Sequence, residues 1–456
     1  MQMKRIEITE QQPFDPDALD RSSAFSPDVI SSAASIIADV RERGDAAVRD
    51  YTRKFDHIEL DGLRVPDDEI DAAFDAVSDE VVDSVRRAAA NIRRFHEEQR
   101  SRSWFITQPD GAVLGSRVTP IERVGVYVPG GRARYPSTVL MDTIPARVAG
   151  VDRILMTTPP ASDGHVDPTT LVAARVAGVD EVYRFGGAQA IAALAYGTET
   201  IRPVDKIVGP GNVFVAAAKK LVLGDVGIDM IAGPSEVCII ADEGATPEFV
   251  AIDLMAQAEH DPNAICYLVC LSDDFADEVE AYIDAYIASS PRAEITTASL
   301  EHNALVFVVP DIDQAIVVSN AIAPEHLEVQ VRQPMTLLGR LRNAGAIFLG
   351  DFAPTSVGDY FAGPNHTLPT SGTARFSSPL GVDDFVKRSS VVEYTFDALQ
   401  GGADAIRTIA NQEGLWAHAR AVELREELVS EELDGCADAA ADVAASATDE
   451  TSLGSE

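Results

Sequence analysis

Between residues 124 and 223 a short apolar run repeatedly ends in a glycine- or proline-rich turn, and helical pattern returns after it. Residues 124–128 end in Pro129-Gly130-Gly131, 153–157 in Thr158-Pro159-Pro160, 181–185 in Gly186-Gly187, and 206–208 in Gly209-Pro210-Gly211-Asn212. Helices are expected over 188–196 and 213–223. Strand, turn and helix repeated in this way predict a parallel α/β domain. Ligands of such sheets bind beyond the carboxyl ends of the strands, where glycine lets backbone N–H groups approach phosphates. The turns lack a GxGxxG fingerprint, so they read either as a dinucleotide site or as ordinary tight β–α connections.

A second series starts at Ile231-Ala232-Gly233-Pro234-Ser235-Glu236, with strands expected over 237–241, 265–270, 305–309, 327–331 and 346–349. A helix over 246–260 separates the first two, with Thr246 as N-cap and Pro247 in its first turn. The fold class is therefore α/β: two related parallel-sheet halves with a helical N-terminal region and a small C-terminal helical segment. Residues 1–122 form the helical region, packing on the catalytic half. Residues 123–230 and 231–378 are the two halves, and 379–429 the C-terminal segment, with helices at 404–410 and 415–428. Residues 430–456 fall to Ala, Asp, Glu, Ser and Thr, a disordered acidic tail.

Composition narrows the partners. The net charge is −36, from 73 acidic and 37 basic residues, and only six of the basic residues are lysine. A uniformly acidic, lysine-poor surface suits a salt-rich cytoplasm, where screening weakens self-repulsion. It offers no basic stripe to nucleic acid. No apolar run is long enough to span a bilayer, and the N-terminus has no signal core, so a cytoplasmic location is expected. The cysteines Cys238, Cys266, Cys270 and Cys436 form no CxxC pair; Cys266 and Cys270 read as small core residues.

The chemistry-bearing residues cluster at element ends. Pro324 stops a helix over 313–323 and a strand follows, so Glu325 and His326 stand at a helix-to-strand junction facing a cleft. Taken alone, the pair reads more readily as a helix-end carboxylate and a surface histidine; the rest of the chain turns the reading toward a site. Gln257 and His260, three apart at the end of the 246–260 helix, share a face aimed at the same cleft. Asp359 and His366 come from a glycine-rich loop, and Glu413 and His418 from the C-terminal helices. The other histidines, His57, His96, His165 and His302, are expected on the surface. A carboxylate, two imidazoles and an amide oxygen could bind zinc; a polar cleft without metal, a zinc hydrolase using Glu325 on a bound water, and a non-catalytic binding protein stay open.

Several stretches resemble histidinol dehydrogenase: Gly186-Gly187-Ala188-Gln189-Ala190-Ile191-Ala192, Val208-Gly209-Pro210-Gly211-Asn212, Gly233-Pro234-Ser235-Glu236, Gln257-Ala258-Glu259-His260-Asp261, Ala323-Pro324-Glu325-His326-Leu327-Glu328 and Gly363-Pro364-Asn365-His366-Thr367-Leu368-Pro369-Thr370. The resemblance implies an NAD-dependent, zinc-requiring enzyme that oxidises L-histidinol to L-histidine through L-histidinal. It implies Gln257, His260, Asp359 and His418 as ligands of one Zn2+ per active site, and Glu325 and His326 as the proton-transfer pair. It implies Ser235, His366 and Glu413 as substrate contacts together with His326 and the four zinc ligands. Tyr127, Gln189 and Asn212 would contact NAD, and a homodimer would share its active sites through the C-terminal segment. The acidic composition departs from common members and marks a halophile-type variant.

Overall fold

The computed structural model describes residues 2–9, 11–16, 19, 25–130 and 134–429. The acidic tail over 430–456 lies outside the described residues, as does Gly131. In chain order the elements are β1 (Lys4–Glu7), α1 (Pro27–Arg43), α2 (Asp45–Phe55), α3 (Asp67–Ala76), α4 (Asp79–Glu97), β2 (Trp104–Thr107), β3 (Val113–Pro120), β4 (Arg123–Tyr127) and α5 (Pro136–Ala149). Then come β5 (Arg153–Thr157), α6 (Pro168–Ala177), β6 (Glu181–Tyr183), α7 (Gly187–Tyr196), β7 (Lys206–Val208), α8 (Val213–Val222) and β8 (Gly227–Ile228). The second series is β9 (Glu236–Ala241), α9 (Pro247–Ala258), β10 (Ile265–Cys270), α10 (Asp273–Ile287), α11 (Ala293–Asn303), β11 (Ala304–Val308), α12 (Ile312–Ile322), β12 (His326–Gln330) and β13 (Ala346–Leu349). It is followed by α13 (Thr355–Val357), β14 (Val386–Glu393) and α14 (Phe396–Gln412).

Two compact units divide the described chain: Met1–Ser101 with Pro120–Lys387, and Arg102–Thr119 with the residues from Arg388 onward. The first holds both parallel sheets. The five-stranded sheet runs β6-β5-β4-β7-β8 and the six-stranded sheet β1-β11-β10-β9-β12-β13, with every pairing parallel. Numbered within each half, both read 3-2-1-4-5, with β1 added at one edge of the second. The expected duplication is thus present as identical strand order. In each sheet the direction of winding reverses between the first and fourth strands, β4/β7 and β9/β12, which opens a crevice there. The second unit holds a three-stranded sheet, β14-β3-β2, in which β2 and β3 are antiparallel, together with α14 and a helix over 416–429.

Helices cover both faces of each parallel sheet, so the strands read as continuous apolar runs. Val124, Val126, Ile154 and Met156 pack under α3 to α6, and Leu155 and Ile207 under α1, α2, α7 and α8. Val237, Ile239, Leu268 and Val306 face α9 to α11, and Ile240, Val269, Phe307 and Val329 face α12. Cys266 and Cys270 are buried in this core, as expected.

The N-terminal region departs from expectation in two ways. Its helices pack mainly on the five-stranded half, α1 and α2 on α7 and α8 and α3 and α4 on α5 and α6; α4 also meets the expected catalytic half, at the turn Gly358–Ala362. The stripe of α4, Val82, Val85, Ala88, Ala89 and Ile92, is the reason, because it completes the core above α5 and α6. Second, Lys4-Arg5-Ile6-Glu7 is a strand and not a helix. Its backbone pairs with β11, and Arg5 forms ion pairs with Asp273, Asp277 and Glu280.

Candidate active site

The helix α12 ends on Ala323, which adopts φ 49°, a left-handed conformation unusual for a residue with a Cβ. Pro324 then prevents its continuation. The chain turns directly into β12, so Glu325 and His326 stand at the amino end of a strand held between β9 and β13. His326 is in register with Val237 and Ala346. Both side chains are buried, Glu325 at 7% and His326 at 5% exposure, which disposes of the surface reading. The constellation therefore lies at the amino edge of the six-stranded sheet, the opposite end from where open α/β sheets usually bind ligands.

Glu236, the first residue of β9, organises the pair. Its N–H donates to Glu325 Oε2 at 2.8 Å, and its carbonyl lies 3.1 Å from His326 Nδ1. A carbonyl only accepts, so Nδ1 carries a proton and Nε2 is left as the acceptor in the neutral ring. Nε2 has no hydrogen-bond partner; Asp359 Oδ1 stands 3.5 Å away, and Glu325 Oε2 is 3.7 Å from Nδ1. Burial pushes the Glu325 carboxyl up to about 7, against the pull of His326 and the Glu236 N–H. Burial also opposes charge on His326, but the carboxylates of Glu325 and Asp359 outweigh it and hold the imidazole at about 9.

Asp359 rides on a π-helical turn, Gly358–Ala362, directly after α13. Such turns are frequent at functional sites. Burial would raise its pKa, yet the neighbouring imidazoles of His326, His366 and His260 keep the carboxyl below its ordinary range. The Asn91 amide donates to the Phe361 carbonyl at 2.9 Å, fixing the turn against α4. Gly363 follows at φ 119°, where a Cβ would come within 2.7 Å of the Asn91 carbonyl, so only glycine fits. His366 Nδ1 lies 3.1 Å from the Asp359 carbonyl, and its Nε2 is 3.4 Å from the Thr138 hydroxyl on α5. On either side of His366, Asn365 donates to the Met141 carbonyl at 2.6 Å and Thr367 to Asp142 Oδ1 at 2.7 Å. The segment then returns to β9, with the Ser371 N–H on Glu236 Oε1 at 2.9 Å.

The helix α9 ends at Ala258, so Gln257 is its buried last turn, and His260 lies past the helix on the following turn. They adjoin through the backbone rather than as one continuous face: the His260 N–H donates to the Gln257 carbonyl at 3.2 Å. The charges of Asp359 and His326 act on His260. Ser235 precedes β9 and hydrogen-bonds Glu325. His418 and Glu413 belong to the second unit, where both are exposed. Among the described residues no three His, Cys, Asp or Glu side chains form a metal centre by themselves. Within the first unit, Gln257, His260 and Asp359 offer an amide oxygen, an imidazole and a carboxylate under the charge of neighbouring imidazoles, donor types that suit zinc.

Tyr127 ends β4, Gln189 lies in the first turn of α7 after β6, and Asn212 follows β7, all at carboxyl ends of strands of the five-stranded sheet. The Tyr127 hydroxyl accepts the Gly187 N–H at 3.2 Å. Gln189 is buried with Oε1 unpartnered. Asn212 caps α8, its Oδ1 accepting from Phe214 and Val215 at 3.0 and 3.1 Å. Gly209 sits against the Tyr127 carbonyl, where a Cβ would come within 2.0 Å.

Sequence reasoning missed three groups. Lys219 and Asp229 form a buried ion pair; Lys219 also donates to the Gly209 carbonyl at 2.8 Å, and Asp229 accepts the Gly209 N–H at 2.8 Å. Asp142 is fully buried beside them, and burial pushes its carboxyl up to about 8. Glu328 and Gln330, the polar members of an alternating strand, are buried rather than on a wet face, and they meet Asp253 of α9. The available signal was a lone Asp or Lys inside otherwise apolar helices. His96, expected on the surface, is fully buried at the end of α4, with Nδ1 2.7 Å from Gln99 Oε1.

The family model described as histidinol dehydrogenase matches residues 19–426. The histidinol dehydrogenase of Geobacillus kaustophilus is 54% identical over 390 residues, 86% of this chain and 92% of that one. That of Bacillus subtilis is 52% identical over 396 residues, 87% of this chain and 93% of that one. A crystal structure of histidinol dehydrogenase from Elizabethkingia anophelis superposes with a TM-score of 0.89 at 37% identity, covering 94% of this chain and 99% of the other.

Proposed function

The chain belongs to the histidinol dehydrogenase family, and on that premise we propose that Glu325 and His326 are its proton-transfer pair and Gln257, His260, Asp359 and His418 the ligands of one zinc ion per active site. The protein is an NAD-dependent oxidoreductase of histidine biosynthesis. The overall reaction consumes one histidinol, one water and two NAD, and releases histidine, two NADH and protons. Zinc, when bound, supplies an anchor for substrate nitrogens and a Lewis acid without redox chemistry. NAD, when bound, accepts the hydride.

The chain's own residues supply position and proton transfer. In its neutral form, which a pKa of about 9 places at alkaline pH, His326 takes the alcohol proton on Nε2, its Nδ1–H held by the Glu236 carbonyl. Glu325, pushed up to about 7, can both take and return a proton near neutrality, which suits activation of the water that adds to the aldehyde. Ser235, His366 and Glu413 hold the substrate, and Tyr127, Gln189 and Asn212 contact the nucleotide. In this reading residues 123–230 are the NAD half, 231–378 the zinc and catalytic half, and 379–429 a dimerisation segment through which two subunits share their sites. A cytoplasmic location accompanies it; among the described residues no helix is long and apolar enough to cross a membrane.

The observation that carries the reading is the buried Glu325–His326 pair beside Asp359, with His326 Nε2 free of any hydrogen bond. The test is NADH absorbance on adding histidinol and NAD, before and after chelation, with zinc counted per chain. Chelation should abolish turnover and added zinc restore it, and His260→Ala should lose both metal and activity. Full activity in metal-free protein would refute the zinc assignment.

A further inference from the structure

Behind the catalytic pair lies a polar cluster that the proton-transfer steps do not use. On β12, His326, Glu328 and Gln330 alternate onto one face, and on α9 Asp253 and Gln257 are one turn apart. The two rows meet: Gln330 Nε2 donates to Asp253 Oδ2 at 2.8 Å and to Glu328 Oε2 at 3.0 Å. Asp253 and Glu328 lie close enough for each to act on the other's titration; burial, reinforced by the charge of Asp253, raises the Glu328 carboxyl to about 8. The remaining oxygen, Glu328 Oε1, accepts the backbone N–H of Thr355 at 2.8 Å. Thr355 is the first residue of α13, and α13 runs without a break into the turn that carries Asp359.

Glu328 thus links three elements: its own strand, with His326 two residues away; through Gln330, the helix α9, whose last turn holds Gln257 with His260 just beyond it; and the turn bearing Asp359. Glu328 is 1% exposed and Thr355 4%, so neither bond is replaceable by water. We propose that Glu328, with Asp253 and Gln330, is a positioning clamp that sets the metal-binding end of α9 and the Asp359 turn relative to His326. The inference rests on the reading of Gln257, His260 and Asp359 as zinc ligands. Groups that orient ligands in this way typically contribute 10–100-fold in metal affinity. The neutral isostere should preserve the clamp. A glutamine at 328 still accepts from Thr355 through Oε1, and Gln330 still donates to Asp253, so only the Gln330–Glu328 bond is lost.

The test uses the full-length protein and zinc alone, with affinity measured by chelator competition and hydrogen exchange followed over residues 355–362 without metal. Glu328→Ala should bind zinc about 10–100-fold more weakly and exchange faster across that turn, while Glu328→Gln stays close to wild type on both. Thr355→Pro removes the same hydrogen bond with Glu328 intact, at a first helical position that tolerates proline. It should reproduce the alanine phenotype and guards against loss of folding in that variant. Wild-type zinc affinity in either Glu328→Ala or Thr355→Pro would overturn the clamp. So would equal losses in Glu328→Gln and Glu328→Ala. A wild-type protein that binds no zinc would instead remove the functional reading, and the clamp would then stand or fall on the exchange of the turn in the metal-free variants.

Discussion

Glu325 and Glu236 are joined by a backbone N–H to carboxylate hydrogen bond of 2.8 Å, and the carbonyl of the same Glu236 orients His326. The backbone of one residue therefore holds both members of the proton-transfer pair, on the edge where β9 and β12 lie side by side. It leaves the two side chains different tasks, because Glu325 titrates near 7 while His326, held at about 9, frees its Nε2 only at higher pH.

That difference predicts a split between the two oxidations. Glu325→Gln should slow the histidinal step by roughly 10²–10⁴-fold, the usual worth of a general base, and the histidinol step by much less. His326→Ala should impair the histidinol step. Steady-state assays on each substrate decide it: equal losses for Glu325→Gln would reassign the water-activating role.

A pH dependence of stability follows from Asp142. Its carboxyl is raised from the ordinary range to about 8, chiefly by burial. Between those limits the folded state holds a proton that the unfolded state has lost, so stability falls as pH rises through about 8. Thr367 donates to Oδ1 from the His366 segment, while Asp229 and Lys219 are the charged groups facing Asp142. Asp142→Asn removes the titration and keeps the acceptor. Melting temperatures of the two proteins should be similar near pH 5, with the variant ahead above pH 8. Parallel curves would show that Asp142 stays ionised.

Much of this was legible before the fold was known, and the exceptions have physical reasons. The strands β5, β7, β10 and β13 fall on their expected residues, because buried parallel strands are short apolar runs that stop at turns. The three-stranded sheet was invisible: Trp104, Phe105 and Ile106 of β2 are all exposed in the described chain, so no alternation marks it. The helix α14 begins eight residues before the expected 404, and Gly401-Gly402 is carried within it on an open surface. At the site, spacing could locate Glu325 and His326 but not their burial, which depends on β9 and β13 closing around β12. Nor could it turn Glu328 and Gln330 inward, since alternation marks two faces without saying which is wet.

The charge of −36 predicts a response to salt. Repulsion among carboxylates is screened within about 10 Å at 0.1 M and within about 3 Å at 1 M ionic strength. The melting temperature should therefore climb by several degrees between dilute buffer and molar KCl. A flat response would assign the acidity another cause.

The proposed sharing of sites predicts complementation between two inactive variants. If His418 serves the partner's zinc, a heterodimer of Asp359→Asn and His418→Ala subunits has one doubly damaged site and one intact site. Random re-association should return about a quarter of wild-type activity. No recovery after verified subunit exchange would show that His418 serves its own chain.

The strand β1 also sets an order of events during synthesis. Lys4 pairs with Leu305, about 300 residues later in the chain. At about 5–20 residues per second the ribosome delivers that partner only tens of seconds after the first strand has emerged. Throughout that interval an unpaired strand edge is exposed to other nascent chains. Its sequence, Lys-Arg-Ile-Glu, carries three charges on four residues, and charges of this kind discourage strand-to-strand association. Of the strands of the six-stranded sheet, β1 therefore waits longest for its neighbour, and it takes its place only after β11 has been made.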